Sequence, residues 1–210
     1  MTRPAPRALL LDLAGVLSFF DKEGRLRRMA AAADLPEEEV TARIYGSGLV
    51  ADADAGRLTA DEMRTQLQGR LHLPGDVVDE LWLSAFAPDP AALAALAHVD
   101  PALPRGLLTN NDALLADLIP RRHPELVAGM DPVAFAGVLG VTKPDPAAYL
   151  RPLAAWPVEP ADVLFLDDSA VNVDGARAAG LRAEQVAGAE ELAAALRASG
   201  LVEPSGRADR

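Results

Sequence analysis

The sequence predicts an α/β fold: a Rossmann-like parallel sheet core with helices on both faces and an inserted helical cap. Three observations carry this expectation. Short apolar runs ending in carboxylate or hydroxyl groups recur at residues 7–13 (RALLLDL), 103–109 (LPRGLLT) and 162–168 (DVLFLDD), the pattern of buried strands. Helical patterns separate the later runs, and alternating strand and helix builds a parallel sheet covered on both sides. Residues 18–97 break that rhythm with a series of helical patterns and no convincing strand between them.

Each element has its own justification. The first strand, in ALLLDLAGVL, ends at Asp12 and is followed by Ala14 and Gly15. In the inserted segment RLRRMAAAADL, PEEEVTARIYGSG, TADEMRTQLQGRL and GDVVDELWLSAF read as helices. Thr59, with Glu62 three residues on, forms a capping-box pattern that sets one helix start. The second strand ends in TNND, where Asn111 or Asp112 caps the helix DALLADLIP. DPAAYLRPLAAW follows Lys143, and the third strand leads into NVDGARAAG, a helix stopped by glycine. RAEQV at 182–186 reads as a fourth strand. The expected division is a core of 1–17 and 98–202, a cap of 18–97 and a flexible polar tail at 203–210.

Composition narrows the function classes. A chain of 210 residues, half of them hydrophobic, can bury a full core. With 20 basic against 31 acidic residues the formal net charge is −11, which argues against nucleic acid or an anionic membrane as partner. There is no cysteine, so disulfides, zinc–thiolate sites and thiol nucleophiles are excluded. No apolar run approaches the roughly 20 residues needed to span a bilayer, and MTRPAPR lacks the features of a signal peptide. The expectation is a soluble cytoplasmic protein, monomer or homodimer. Lysine occurs only as Lys22 and Lys143 in an arginine-rich chain, which singles out Lys143 in GVTKPDP.

In an open parallel sheet, ligands bind at the carboxyl ends of the strands. Asp12, Thr109 with Asn110, and Asp167 with Asp168 all stand at such ends, so the fold can bring them together although they are far apart in sequence. Lys143, just before a helix, can reach the same edge from a loop.

With those residues in order, the chain resembles the haloacid dehalogenase-like hydrolase superfamily, in the subfamily whose helical cap follows the first motif. LLLDLAGVL resembles the first motif, GLLTNN the second, VTKPDP the third with its lysine, and VLFLDDSAVNVDGARAAG the fourth. AGRLTADEM resembles a turn and helix in the cap of small bacterial sugar-phosphatase-like members. The resemblance implies a magnesium-dependent phosphatase-like hydrolase of a small phosphorylated metabolite, with a sugar phosphate as one candidate. It implies an aspartyl-phosphate on Asp12 as intermediate, with Mg2+ held by Asp12, the carbonyl of Ala14, Asp167 and Asp168. Thr109, Asn110 and Lys143 are the implied phosphate-binding groups, and Lys143 is catalytic as the charge that neutralises the transferring phosphoryl group. The residue types suit that chemistry: a carboxylate attacking an anionic ester needs cations to offset repulsion.

One position departs from the family's pattern. Its common phosphatases carry a second aspartate two residues after the nucleophile, which protonates the leaving oxygen and then activates water; here that residue is Ala14. Such acid–base help is typically worth about 10²–10⁴ in rate, or roughly 3 to 5 kcal/mol. Asp21, Asp52 and Asp54 are the candidate substitutes. Two alternatives need no such acid. Dehalogenation of a 2-haloacid is disfavoured by Asp167 and Asp168, where those enzymes resemble SSN. Phosphonoacetaldehyde hydrolases also read aspartate, any residue, alanine, glycine, but require a cap lysine, and only Lys22 is near. A catalytically idle binding protein of the same fold is the third alternative. His72, His98 and His123 are scattered, and Tyr45, Trp82 and Phe86 read as cap core, one of them a candidate pocket wall.

Overall fold

The computed structural model describes residues 4–202; the tail expected at 203–210 lies outside the described residues. In chain order the core opens with β1 (Ala8–Leu11), after which β2 (Ser18–Phe20) leads into α1 (Lys22–Ala33), α2 (Glu37–Val40) with one π-helical turn after it, α3 (Leu49–Asp54), α4 (Ala60–Leu71) and α5 (Gly75–Leu83). The chain returns through β3 (Phe86–Pro88) and α6 (Pro90–Leu96). It continues with β4 (Arg105–Thr109), α7 (Ala113–Arg122), β5 (Val133–Phe135), α8 (Ala136–Leu139) and α9 (Pro146–Leu153). The last elements are β6 (Val163–Asp167), α10 (Ala170–Ala178), β7 (Arg182–Gln185) and α11 (Ala189–Ala198).

Five strands form one parallel sheet in the order β5-β4-β1-β6-β7. Central β1 is buried along its whole length, and its side chains alternate between two apolar clusters. Leu9 and Leu11 join the one that holds Leu192 and Leu196 of α11, while Ala8 and Leu10 join the one that holds Tyr149 of α9 and Val173 of α10. The sheet is therefore a Rossmann-like layer with helices on both sides. Burial on both faces is why its central strands read as continuous apolar runs.

Three strands escape the sequence reading. β5, in PVAFA, was not expected, and β2 pairs antiparallel with β3 where the inserted segment leaves and rejoins the core. Each is three residues long, too short for periodicity to show. Two helix starts are as expected: the Thr59–Glu62 capping box is formed in both directions, and Asp112, one of the two residues offered, caps α7, accepting from the Leu115 N–H.

The inserted helices share one apolar cluster with the core. Met29, Ile44, Met63, Leu67 and Trp82 are continuous with Leu114, Leu115 and Leu118 of α7, and the indole N–H of Trp82 donates to the Asp112 carboxylate at 2.8 Å. α6, inside the stretch read as cap, packs against α11 of the core.

Candidate active site

Strand register builds the site. Leu11 of β1 lies opposite Leu166 of β6, and the Asp12 N–H donates to the Leu166 carbonyl at 2.9 Å. Asp12 and Asp167 thus leave adjacent strands at the same level, both buried, at 6% and 0% exposure. Lys143, 3% exposed, comes from the loop before α9 and places its ammonium between them. Its Nζ donates to Asp12 Oδ1 at 2.8 Å, to Asp167 Oδ2 at 2.6 Å and to the Leu108 carbonyl at 3.0 Å. All three ammonium protons have acceptors, so the buried charge is fully compensated.

The carboxylates differ in their support. Asp167 also accepts from the Ser169 N–H at 2.8 Å and from Asn172 Nδ2 at 3.0 and 3.1 Å. Burial pushes Asp12 up to about 6, with Asp167 adding to the rise and Lys143 opposing it. Asp168, exposed at the rim, is raised by partial burial and by Asp167. Asn172 is not singled out in the sequence; in the first turn of α10, in DDSAVN, it has only its spacing from Asp167 to mark it.

At the end of β4 the buried Thr109 hydroxyl accepts from Asn111 Nδ2 at 2.6 Å, which leaves its own proton free to donate. The Asn110 side-chain amide bonds the lysine loop. Its Nδ2 donates to the Lys143 carbonyl at 2.9 Å and its Oδ1 accepts the Lys143 N–H at 2.8 Å. The amide side chain therefore holds the lysine loop.

Asp12, Asp167 and Asp168 each offer an oxygen, and these lie within 4.8 Å of one another. Three carboxylates against one ammonium leave a negative surplus, and hard oxygen donors suit a divalent cation such as magnesium. The Ala14–Gly15 turn is shaped to the cluster. Gly15 has φ +74°, and a Cβ there would stand 2.4 Å from Asp168 Oδ2, so only glycine lets the Asp168 carboxylate lie against this turn.

A cavity of about 200 Å³ lies between the inserted helices and the core, its wall including Asn110 of the loop that holds Lys143. Asn110 and Asn111 form part of its core wall; Lys22, Arg25, Tyr45, Asp54 and Trp82 face it from the other side. Tyr45 and Trp82 are thus pocket walls, whereas Phe86 is core, 3% exposed. Lys22, at the first turn of α1, lines this cavity although its sequence position seemed too early for the cap. Arg25, missed in the sequence, is buried against the Trp82 ring at 4.0 Å and donates to the Tyr45 hydroxyl and the Trp82 carbonyl. The histidines stand apart: His72 ends α4, His98 bonds the Ala94 carbonyl and His123 ends α7.

A family model of haloacid dehalogenase-like hydrolases matches residues 6–180. The chain is 35% identical over 187 residues to phosphatase MT3486 of Mycobacterium tuberculosis (strain CDC 1551 / Oshkosh), covering 84% of this chain and 85% of that relative. Among solved structures, a predicted HAD-like family hydrolase from Porphyromonas gingivalis superposes with a TM-score of 0.76 at 25% identity, over 92% of this chain and 97% of the other. A HAD family enzyme from Bacteroides thetaiotaomicron, in complex with magnesium and inorganic phosphate, shares the fold with a TM-score of 0.72 at 19% identity, over 86% and 94%. With its motifs converged at one sheet edge and a family model spanning most of its length, the chain belongs to the haloacid dehalogenase-like hydrolases.

Proposed function

We propose that this hydrolase is a magnesium-dependent phosphatase of a small phosphorylated metabolite, a sugar phosphate being one candidate, and that it works through an aspartyl-phosphate on Asp12. The observation that carries this reading is the buried Asp12–Lys143–Asp167 cluster, with Asp168 completing three converging carboxylates. The phosphatase name of the mycobacterial relative, and the magnesium and phosphate bound to the Bacteroides enzyme, support it.

Asp12, the Ala14 carbonyl, Asp167 and Asp168 would hold the cation, which when bound offsets phosphoryl charge and orients the phosphate oxygens. Asp12 attacks phosphorus and the ester P–O bond breaks. Lys143 supplies positive charge beside the attacking carboxylate and favours its ionised form. The Thr109 hydroxyl donates to a phosphoryl oxygen. Water then attacks phosphorus and the acyl phosphate breaks, restoring the Asp12 carboxylate.

The test is a hydrolysis panel of sugar phosphates, nucleotides, phosphonoacetaldehyde and 2-chloroacids, with and without magnesium, beside Asp12→Asn. Phosphate release that needs both magnesium and Asp12 is expected; metal-independent halide release would overturn the reading.

A second reading, a phosphonoacetaldehyde hydrolase, rests on Lys22. Its amine stands 4.8 Å from the Tyr45 ring centre and lines the cavity, so it is available to an aldehyde group bound there. Borohydride reduction in the presence of phosphonoacetaldehyde would then trap a covalent adduct on Lys22. An unmodified Lys22 after that treatment removes this reading.

A further inference from the structure

Ala14 leaves the reaction without a proton donor for its leaving oxygen, and the cavity between the inserted helices and the core is lined by a carboxyl group, Asp54. We propose that Asp54, acting from the cap, is the general acid and then the general base of the phosphatase reaction; this rests on the phosphatase reading above.

Asp54 ends α3, and its position is set by close packing. A Cβ on Gly137 would stand 2.8 Å from the Ala53 carbonyl and 2.7 Å from the Asp112 Cα, and one on Gly56 would stand 2.9 Å from the Gly140 Cα. The two glycines let the α3 end sit directly on α8 and the start of α7, which brings Asp54 over the loop after β4. Asn110 and Asn111 of that loop line the same cavity as Asp54. Behind the wall, Asn110 grips the Lys143 backbone and Asn111 grips the Thr109 hydroxyl. Asn110 thus belongs both to the cavity wall and to the hold on Lys143, whose ammonium reaches Asp12.

The other candidate acids are engaged elsewhere. Asp21 caps α1, accepting from the Gly24 N–H at 2.7 Å. Asp52 is exposed and paired with Arg57 at 2.6 Å. Asp112, the other carboxylate lining the cavity, is held by the Leu115 N–H and the Trp82 indole. Asp54 is half-buried and, among the described residues, makes no side-chain hydrogen bond. Burial and the facing Asp112 push its carboxyl up to about 7 against the pull of Arg25, and Lys22 is the remaining charge on the cavity wall. A proton is therefore present on it near neutral pH.

The step balances. As the ester P–O bond breaks, its electron pair goes to the leaving oxygen, which takes the Asp54 proton and departs as an alcohol. The Asp54 carboxylate then accepts a proton from water as that water attacks phosphorus and the Asp12 acyl-phosphate bond breaks. The products are phosphate, the Asp12 carboxylate and protonated Asp54.

The test compares kcat/KM for an alkyl phosphate and for p-nitrophenyl phosphate, whose leaving group needs no proton, in wild type, Asp54→Asn, Asp52→Asn and the double variant Asp54→Asn/Ala14→Asp. Asp54→Asn is expected to lose about 10²-fold or more on the alkyl ester and far less on the nitrophenyl ester. The fall of kcat/KM above pH 7 should disappear with it. Asp52→Asn should match wild type, and Ala14→Asp should restore alkyl turnover to Asp54→Asn. Equal losses on both esters with an unchanged pH profile, or no loss beside a dead Asp12→Asn, would overturn the Asp54 assignment alone. Wild type inactive on every phosphate ester would overturn the phosphatase reading and this one with it.

Discussion

Asn110 and Lys143 are joined by two opposed hydrogen bonds: the asparagine Nδ2 donates to the lysine carbonyl at 2.9 Å, and the lysine N–H donates to Oδ1 at 2.8 Å. The pair ties the loop after β4 to the loop before α9, and so delivers the ammonium to Asp12 and Asp167. An amide is needed because it offers one donor and one acceptor on the same group. Asn110→Leu keeps the shape and loses both bonds. It is expected to lower kcat by about 10²-fold, in the range for displaced catalytic groups, with a smaller change in KM. Steady-state kinetics on the substrate found in the panel measures that split; a pure KM effect would mean Asn110 only binds substrate.

Removing the cation itself exposes the cost of the cluster. Lys143→Met leaves Asp12 and Asp167 buried without their shared partner, a change worth about 3–5 kcal/mol for a broken buried pair. Without the lysine nothing opposes the burial and the Asp167 charge that hold Asp12 protonated in the folded state, so stability should fall as pH rises. Denaturant midpoints are expected to drop more at pH 8 than at pH 5, with magnesium restoring part of the loss at pH 8. A variant equally stable at both pH values would show that the two carboxylates do not repel as placed.

What the sequence shows of this molecule follows burial. β1, β4 and β6 are legible because buried strands are continuous apolar runs, and their terminal carboxylates and hydroxyl mark the site edge. β2, β3 and β5 are invisible because three residues make no period. Asn172 and Arg25 carry no pattern of their own: one matters through its reach to Asp167, the other through the aromatic wall it packs on. Asp54 was nameable only as one acid among several. Its distinction comes from partial burial and from Asp112, which the fold brings beside it from a distant segment.

Gly15 gives a test of the proposed metal site that keeps every carboxylate in the sequence. Gly15→Ala forces an L residue into φ +74° and sets a Cβ 2.4 Å from Asp168 Oδ2, so the Asp168 carboxylate must move. Strain of this kind costs roughly 1–2 kcal/mol, and the displaced ligand should raise the magnesium concentration for half-maximal activity about 10-fold, within the range for a disturbed metal shell. Gly48→Ala is the control: φ is +82° but nothing lies within 4 Å of its Cβ. It should lose stability and keep the same magnesium dependence. If Gly15→Ala also keeps it, Asp168 is not a ligand.

Asp54 ties activity to stability with a definite sign. Its carboxyl rises from an ordinary 3.8 to about 7 on folding, so the folded state prefers the protonated form. The penalty for ionising it is absent below about pH 4, grows as pH rises through the interval to 7 and is constant above that. Asp54→Asn replaces the group with a neutral isostere and removes the penalty. The variant should match wild type at pH 4 and exceed its unfolding free energy at pH 8 by on the order of 2 kcal/mol, a value reduced for solvent screening of a partly exposed group. Denaturant unfolding at pH 4, 6 and 8 measures the difference. A variant more stable and less active than wild type is the expected mark of a carboxyl kept under strain for proton transfer. If Asp54→Asn is instead less stable at pH 8, Arg25 holds Asp54 as a structural ion pair and the proton is not there to give.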